Sequence, residues 1–208
     1  DLADTWGGTW PTSGWRTHQV NILFGLKEIP SDGTCTLVVD LLDYAKNFLP
    51  LVKVSVNTQD AKFQLDAPGL CVADQRKPNQ MEKIVDTLSI TGNLAKATPR
   101  RLEIPIRPGV LKAGGNEVTI TVLEGSWILF DRVSLEGPAG TNVEQPQQLF
   151  IRNIEAAPYE LADGKRRVQP LLVDLEWLEG APALSVELDD KEILNQRIET
   201  GRYQLEAP

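Results

Sequence analysis

The chain has 208 residues, 41% hydrophobic and 24% charged, enough to bury a sizeable core as one large or two modest domains. Its formal net charge of −8 excludes a broad phosphate-binding surface, which needs clustered Lys and Arg. No apolar run approaches the roughly 18 residues of a membrane span, and the opening DLADTWGGTW has neither the basic start nor the apolar stretch of a signal peptide; with no initiator Met at position 1, the expectation is a processed protein or a piece of a longer one.

Fourteen prolines and sixteen glycines spread along the chain favour short strands and many turns. In chain order, strands are expected near 17–26, 35–43, 51–57, 60–66, 83–91, 100–106, 116–123 and 127–136. Eight alternating strands predict an all-β fold, a jelly-roll sandwich of two sheets. Ile29 to Gly33 and Pro105 to Gly109 are the turn punctuation such a fold requires. Pro68 to Met81 is long and polar for a hairpin; it is expected to carry a short helix or to cover an end of the sandwich. The clearest segment runs from Asn116 to Pro138. Val118, Ile120 and Val122 alternate with Glu117, Thr119 and Thr121, Glu124-Gly125-Ser126 makes a turn, and Ile128, Phe130 and Val133 resume the apolar series. A skip of phase around Asp131 predicts a bulge or a change of burial, and Gly137-Pro138 stops the strand.

After Pro138 the pattern changes. Residues 139–147 read as a linker between a first domain, 1–138, and a small or truncated β domain, 148–208, with five strand-like runs. Seven Lys and Arg against thirteen Asp and Glu put −6 of the net charge after residue 138. Asp189-Asp190 reads as a hairpin turn.

Catalytic chemistry is poorly provided for. His18 is the only histidine, so any triad, Cys/His pair or multi-histidine zinc site would have to be built around it; at the head of a strand it reads as an exposed or capping residue. Phosphate-loop, dinucleotide and metalloprotease motifs are absent, and carboxylates in alternating strands read as a solvated face. The runs Pro99-Arg100-Arg101 and Lys165-Arg166-Arg167 read as solvated turn charges. Cys35 and Cys71 are too few for a metal cluster; they are compatible with one disulfide or with two reduced thiols. No catalytic residue is assigned.

Sugar binding is better provided for, since it requires an aromatic ring against a pyranose face with hydrogen-bonding side chains beside it. Trp6, Trp10 and Trp15 fall within fifteen residues among glycine, serine and proline, and Arg16 and His18 follow. They form a candidate aromatic platform, the alternative being indoles tucked into the core. Trp10, flanked by Thr9 and by Pro11 to Gly14, has no apolar neighbours in sequence to bury it. Trp127 and Trp177 read as packing residues, whereas Tyr44 and Phe48, placed in a loop from Asp43 to Pro50, could reach a ligand.

The order and spacing of Trp15 to Phe24, Thr36 to Leu42, Leu51 to Asn57, Arg101 to Ile106 and GSWILFDRVSLEGP support a family resemblance. This set resembles the carbohydrate-binding-like domain of rhamnogalacturonan lyases, polysaccharide lyase family 4, a galactose-binding-like β-sandwich. It is also similar to accessory domains of large bacterial glycoside hydrolases related to family 38 α-mannosidases, and the tail resembles the start of an immunoglobulin-like domain in those relatives. The resemblance implies a secreted or periplasmic accessory module whose partners are a polysaccharide or oligosaccharide and a covalently attached catalytic domain, with no nucleic acid and no membrane. It implies that lyase activity resides in a different domain. No cofactor is required, but many such modules hold a structural calcium, for which Asp4, Asp131 and Glu136 are the candidate ligands although no calcium-loop spacing is present. Two functions follow from different classes: a non-catalytic carbohydrate-binding module, or a structural spacer without a sugar site. An intrinsic lyase or hydrolase is a weaker third.

Overall fold

Period-two alternation of apolar and polar residues makes the strands of the first unit, each presenting one face to a common core. The computed structural model describes residues 4–5, 8–10, 14–16, 19–29, 34–46, 49–66, 92–145, 148–163 and 166–207, the first three stretches by their backbone. The chain divides into two compact units: Asp1–Leu23, Glu28–Lys112 and Asn116–Asn142 form one, and Phe24–Lys27, Ala113–Gly115 and Val143–Pro208 the other.

In chain order the strands are β1 (Asp4–Thr5), β2 (Gly8–Trp10), β3 (Gly14–Arg16), β4 (Gln19–Leu26), β5 (Thr36–Tyr44), β6 (Leu51–Val56), β7 (Gln59–Gln64), β8 (Arg100–Pro105), β9 (Gly114–Glu124), β10 (Ile128–Glu136) and β11 (Val143–Glu144). Two layers of a β-sandwich result, a four-stranded sheet in the order β1-β10-β5-β8 and a five-stranded sheet in the order β11-β4-β9-β6-β7. The buried faces are Leu37, Val39 and Leu41 of β5, Leu102 and Ile104 of β8, Ile128 and Phe130 of β10, Val52, Val54 and Val56 of β6, and Val118, Ile120 and Val122 of β9. Val118, Ile120, Val122, Ile128 and Phe130 are the apolar positions the sequence alternation marks, whereas Val133 of the same series is half-buried. The expected strand at 83–91 and the polar stretch from Pro68 to Met81 lie outside the described residues. Between β9 and β10, Gly125 has φ +85°, and a Cβ there would lie 2.4 Å from the Leu49 carbonyl oxygen, so only glycine fits this turn.

Buried polar side chains close both ends of the sandwich. At one end, Asn57 takes a left-handed backbone (φ 49°) after β6. Its amide nitrogen donates to the Val110 carbonyl (2.6 Å) and to Asn116 Oδ1 (2.8 Å), while its Oδ1 accepts from the Glu117 backbone N–H (2.9 Å). Asn116, with no exposed surface, also accepts from the Lys112 N–H (2.9 Å) and donates to the Lys112 carbonyl (2.8 Å). Gln59 spans the layers, donating to the Pro105 carbonyl of β8 (2.8 Å) and accepting from the Arg107 N–H (2.9 Å).

At the other end, Asp43 is fully buried, accepts from the Thr98 N–H (3.1 Å) and lies 3.8 Å from the Lys46 ammonium. Tyr44 corrects the sequence reading. It is the last residue of β5 rather than a loop aromatic, it has no exposed surface, and its hydroxyl donates to the Asp66 carbonyl. Burial, with Asp66 and Asp43 nearby, raises its pKa. The ring is a core residue because Tyr44 pairs in register with the buried Ile128.

The second unit continues with β12 (Leu149–Ala156), β13 (Leu161–Asp163), β14 (Arg166–Val168), β15 (Leu171–Trp177), β16 (Ala183–Leu188), β17 (Lys191–Arg197) and β18 (Gly201–Ala207). A three-stranded antiparallel sheet in the order β12-β15-β18 is accompanied by the hairpins β13-β14 and β16-β17. Its core is Val173, Leu175 and Ile198, against which Leu149, Trp177, Leu184, Tyr203 and Leu205 pack. Asp189 and Asp190 both have positive φ (51° and 61°) between the paired Leu188 and Lys191, the two-residue turn expected there.

Asn116→Ala removes three buried hydrogen-bond partners at once. It is expected to cost about 2–3 kcal/mol, which corresponds to a fall of about 5–10 °C in thermal midpoint for a protein of this size. A circular-dichroism melt within a degree of wild type would contradict the closure described here. Tyr44→Phe should cost about 1 kcal/mol, the typical net value of one hydrogen bond; a thermal midpoint equal to that of wild type would return the Tyr44 hydroxyl to solvent.

Candidate functional site

The segment richest in tryptophan is a hairpin. Strands β2 and β3 pair antiparallel with Gly8 opposite Arg16, Thr9 opposite Trp15 and Trp10 opposite Gly14. Trp10 and Trp15 are therefore on neighbouring strands without being cross-strand partners. Among the described residues the hairpin is a two-stranded sheet of its own, paired with neither layer of the sandwich. Trp6 and His18, the other expected members of the platform, lie outside the described residues, as do Phe48 and Cys71. Trp127 is half-buried at the start of β10, where its carbonyl accepts from the Ala45 N–H (3.0 Å).

Of the carboxylates considered for calcium, Asp131 and Glu136 do not converge. Asp131 and Glu136 are five residues apart on one extended strand, about 16 Å at the rise of a β-strand, and a single ion cannot be ligated by both at 2.3–2.6 Å. Glu136 is also engaged, at 2.5 Å, by the guanidinium of Arg101. The Asp4 backbone pairs with Leu129, placing β1 near Asp131 rather than near Glu136. Among the described residues no group of three or more His, Cys, Asp or Glu could hold a metal ion.

A different cluster forms where β10 meets β5. The pairing of these strands slips twice. Leu129 faces Asp43 and Phe130 faces Leu41, which leaves Leu42 extra on β5; Arg132 then faces Asp40, which leaves Asp131 extra on β10. Two bulges of opposite sense restore the register, so Val133 faces Val39 and the inner face stays apolar on both sides of the irregularity. The phase skip read at Asp131 is the second of these bulges.

An open cleft lies at the paired bulges, lined by Asp40, Leu41, Leu42, Pro99, Arg100 and Arg101. Asp131 lines it as well. Arg100 and Arg101 begin strand β8 rather than sitting in a turn. Arg101 bridges three strands: it contacts Asp40 of β5 (3.4 Å), Glu103 of its own strand (2.7 Å) and Glu136 of β10 (2.5 Å). Its hydrogen bonds to Glu103 and Glu136 hold the guanidinium well above its usual pKa. Arg100 pairs with Asp66 at 3.0 Å. Sequence reasoning missed this cleft because its members come from three strands, and only the phase skip at Asp131 marked the place.

Cys35 is buried with its thiol free, and burial pushes that thiol's pKa up. A nucleophilic role would require the opposite shift.

No curated protein and no solved structure matches the chain. Residues 3–135 match the family described as CBM-like: Polysaccharide lyase family 4, domain III. That span covers more than half of the chain and includes the tryptophan hairpin, the paired bulges and the sandwich strands except β11 and the last residue of β10. The chain belongs to the carbohydrate-binding-like domain III family of polysaccharide lyase family 4.

Proposed function

We propose that this chain is a non-catalytic carbohydrate-binding module that holds an attached catalytic domain, a polysaccharide lyase or glycoside hydrolase, near its polymer. The observation that carries the reading is the β2-β3 hairpin, which places Trp10 and Trp15 on a strand pair that belongs to neither sandwich layer. Sheet pairing does not commit these residues to the core, and an aromatic beside polar groups is the chemistry that recognises a pyranose. Buried side chains close the two ends of the sandwich at Asn57, Gln59 and Asn116 and at Asp43 and Tyr44. A polymer would therefore be met on a face or an edge. Shallow sites of this kind bind in the micromolar to millimolar range.

Chemistry on the polymer is assigned to another domain, and secretion or periplasmic export follows from a polysaccharide target. The alternative, a spacer without a sugar site, is separated by affinity electrophoresis of the purified chain in gels containing pectic, xylan, glucan or mannan polymers. Retardation by at least one polymer without release of unsaturated or reducing ends is expected. Passage through all of them unretarded would leave the spacer, and release of new ends would establish an enzyme.

Trp10→Ala is expected to weaken retention at least fivefold with little change in thermal midpoint. Trp127→Ala is expected to lower stability by about 1–3 kcal/mol, less than a fully buried large-to-small change, with affinity per folded molecule retained. A Trp10→Ala protein that unfolds yet keeps its affinity would place that indole in the core and remove the platform.

A further inference from the structure

We infer that the second unit pairs with a second copy of this chain along the free edge of β12, in an antiparallel two-fold dimer that joins the two three-stranded sheets into one. This surface plays no part in the proposed binding function. Strand β12 lies at the outside of the order β12-β15-β18 and, among the described residues, pairs with β15 alone. Residues directly opposite one another share a face of a sheet, so the register sets two apolar rows across it: Ile151, Leu175 and Tyr203, then Ile154, Val173 and Leu205. Leu175 and Val173 are core residues, and Tyr203 and Leu205 pack against that core. The rows run out at β12, where Ile151 is 45% and Ile154 54% exposed. These isoleucines are an odd number of residues apart and share a face because Arg152 is the extra residue of a bulge.

What this edge lacks, and what it repeats, select the partner. Edge strands are normally blunted by charge, proline or short length. In the first unit β8 carries Arg100, Arg101, Glu103 and Pro105, and β7 carries Asp60 and Lys62. At the other edge of the second unit's sheet, β18 carries Arg202 and Glu206. Over its eight residues β12 presents one exposed charge, Glu155, because the Arg152 side chain is 8% exposed and held by Glu176 at 2.5 Å. The strand is also complementary to itself, as a two-fold contact requires. With the axis between Arg152 and Asn153, antiparallel pairing sets Ile151 opposite the second copy's Ile154, and Ile154 opposite its Ile151. Each apolar row then runs on into the other row of the second copy. Glu155 meets Phe150 and Arg152 meets Asn153, so no like charges are opposed. Both strands bring their bulge to the axis, and opposed bulges are what restore the register between β5 and β10. Sliding by one residue would set the isoleucines against Glu155 and Arg152 instead, which fixes the register.

The test is sedimentation velocity of the full chain from micromolar to hundreds of micromolar, at low and at high salt, with amide hydrogen exchange on the same samples. A reversible monomer–dimer equilibrium is expected. Salt should strengthen it, because the residues after 138 hold seven Lys and Arg against thirteen Asp and Glu in each copy and ions screen that repulsion. Exchange across residues 150–155 should slow as the dimer forms. Ile154→Lys should weaken the dimer roughly tenfold or more, since it puts a charge into an apolar row, with an unchanged circular-dichroism spectrum. Leu188→Lys, at a comparably exposed apolar residue of β16, should dimerise as wild type does. A monomer at every concentration overturns the inference. So does a dimer in which residues 150–155 exchange as fast as in the monomer, a result that needs no variant to fold. A dimer that high salt dissociates, or that Leu188→Lys weakens as much as Ile154→Lys does, is held by a different surface and overturns it as well.

Discussion

The fold of the first unit depends on burying the Asn116 amide with all of its partners present. A primary amide without water must find donors and acceptors inside the protein or cost several times what one hydrogen bond contributes. Asn116 finds them in Asn57 and in both backbone groups of Lys112, and Asn57 in turn takes the Glu117 N–H and the Val110 carbonyl. This small network ties the turn after β6 to the entry of β9. It sets Val56 opposite Val118, Val54 opposite Ile120 and Val52 opposite Val122. A slip of one residue would expose that whole buried face and strand the amides.

The same logic holds for the other buried polar groups. Asn57, Gln59 and Asn116 at one end, with Asp43 and Tyr44 at the other, use their polar atoms on backbone groups and neighbouring side chains of the sandwich. Their hydrogen-bonding capacity is spent on stability. The first layer is interrupted at the Asp131 bulge, and among the described residues the β2-β3 hairpin pairs with neither layer.

Charge on the outer face of the four-stranded sheet is distributed across strands rather than along the chain. Arg101 gathers carboxylates from β5, β8 and β10, and none of these exposed pairs contributes much to stability in water. Their effect is to hold the guanidinium in place between neighbouring carboxylates.

Seven of the eight expected strand positions, the β9-β10 hairpin with its glycine turn, the Asp189-Asp190 turn and the bulge at Asp131 were legible in the sequence, because each is set by local alternation or by backbone conformations that few residues tolerate. The family was legible for the same reason, since its pattern is a succession of strands and turns. Tyr44 was misplaced, because an aromatic at the end of an apolar run looks the same whether the strand stops before it or carries it into the core; pairing with Ile128 decides that. Arg100 and Arg101 looked like turn charges, and only the pairing of β8 with β5 brought them beside Asp40 and the bulge. Local chemistry is written in neighbouring residues and can be read from them. The cleft and the separation of Asp131 from Glu136 depend on which strands lie side by side, and that is decided by long-range pairing in the tertiary structure.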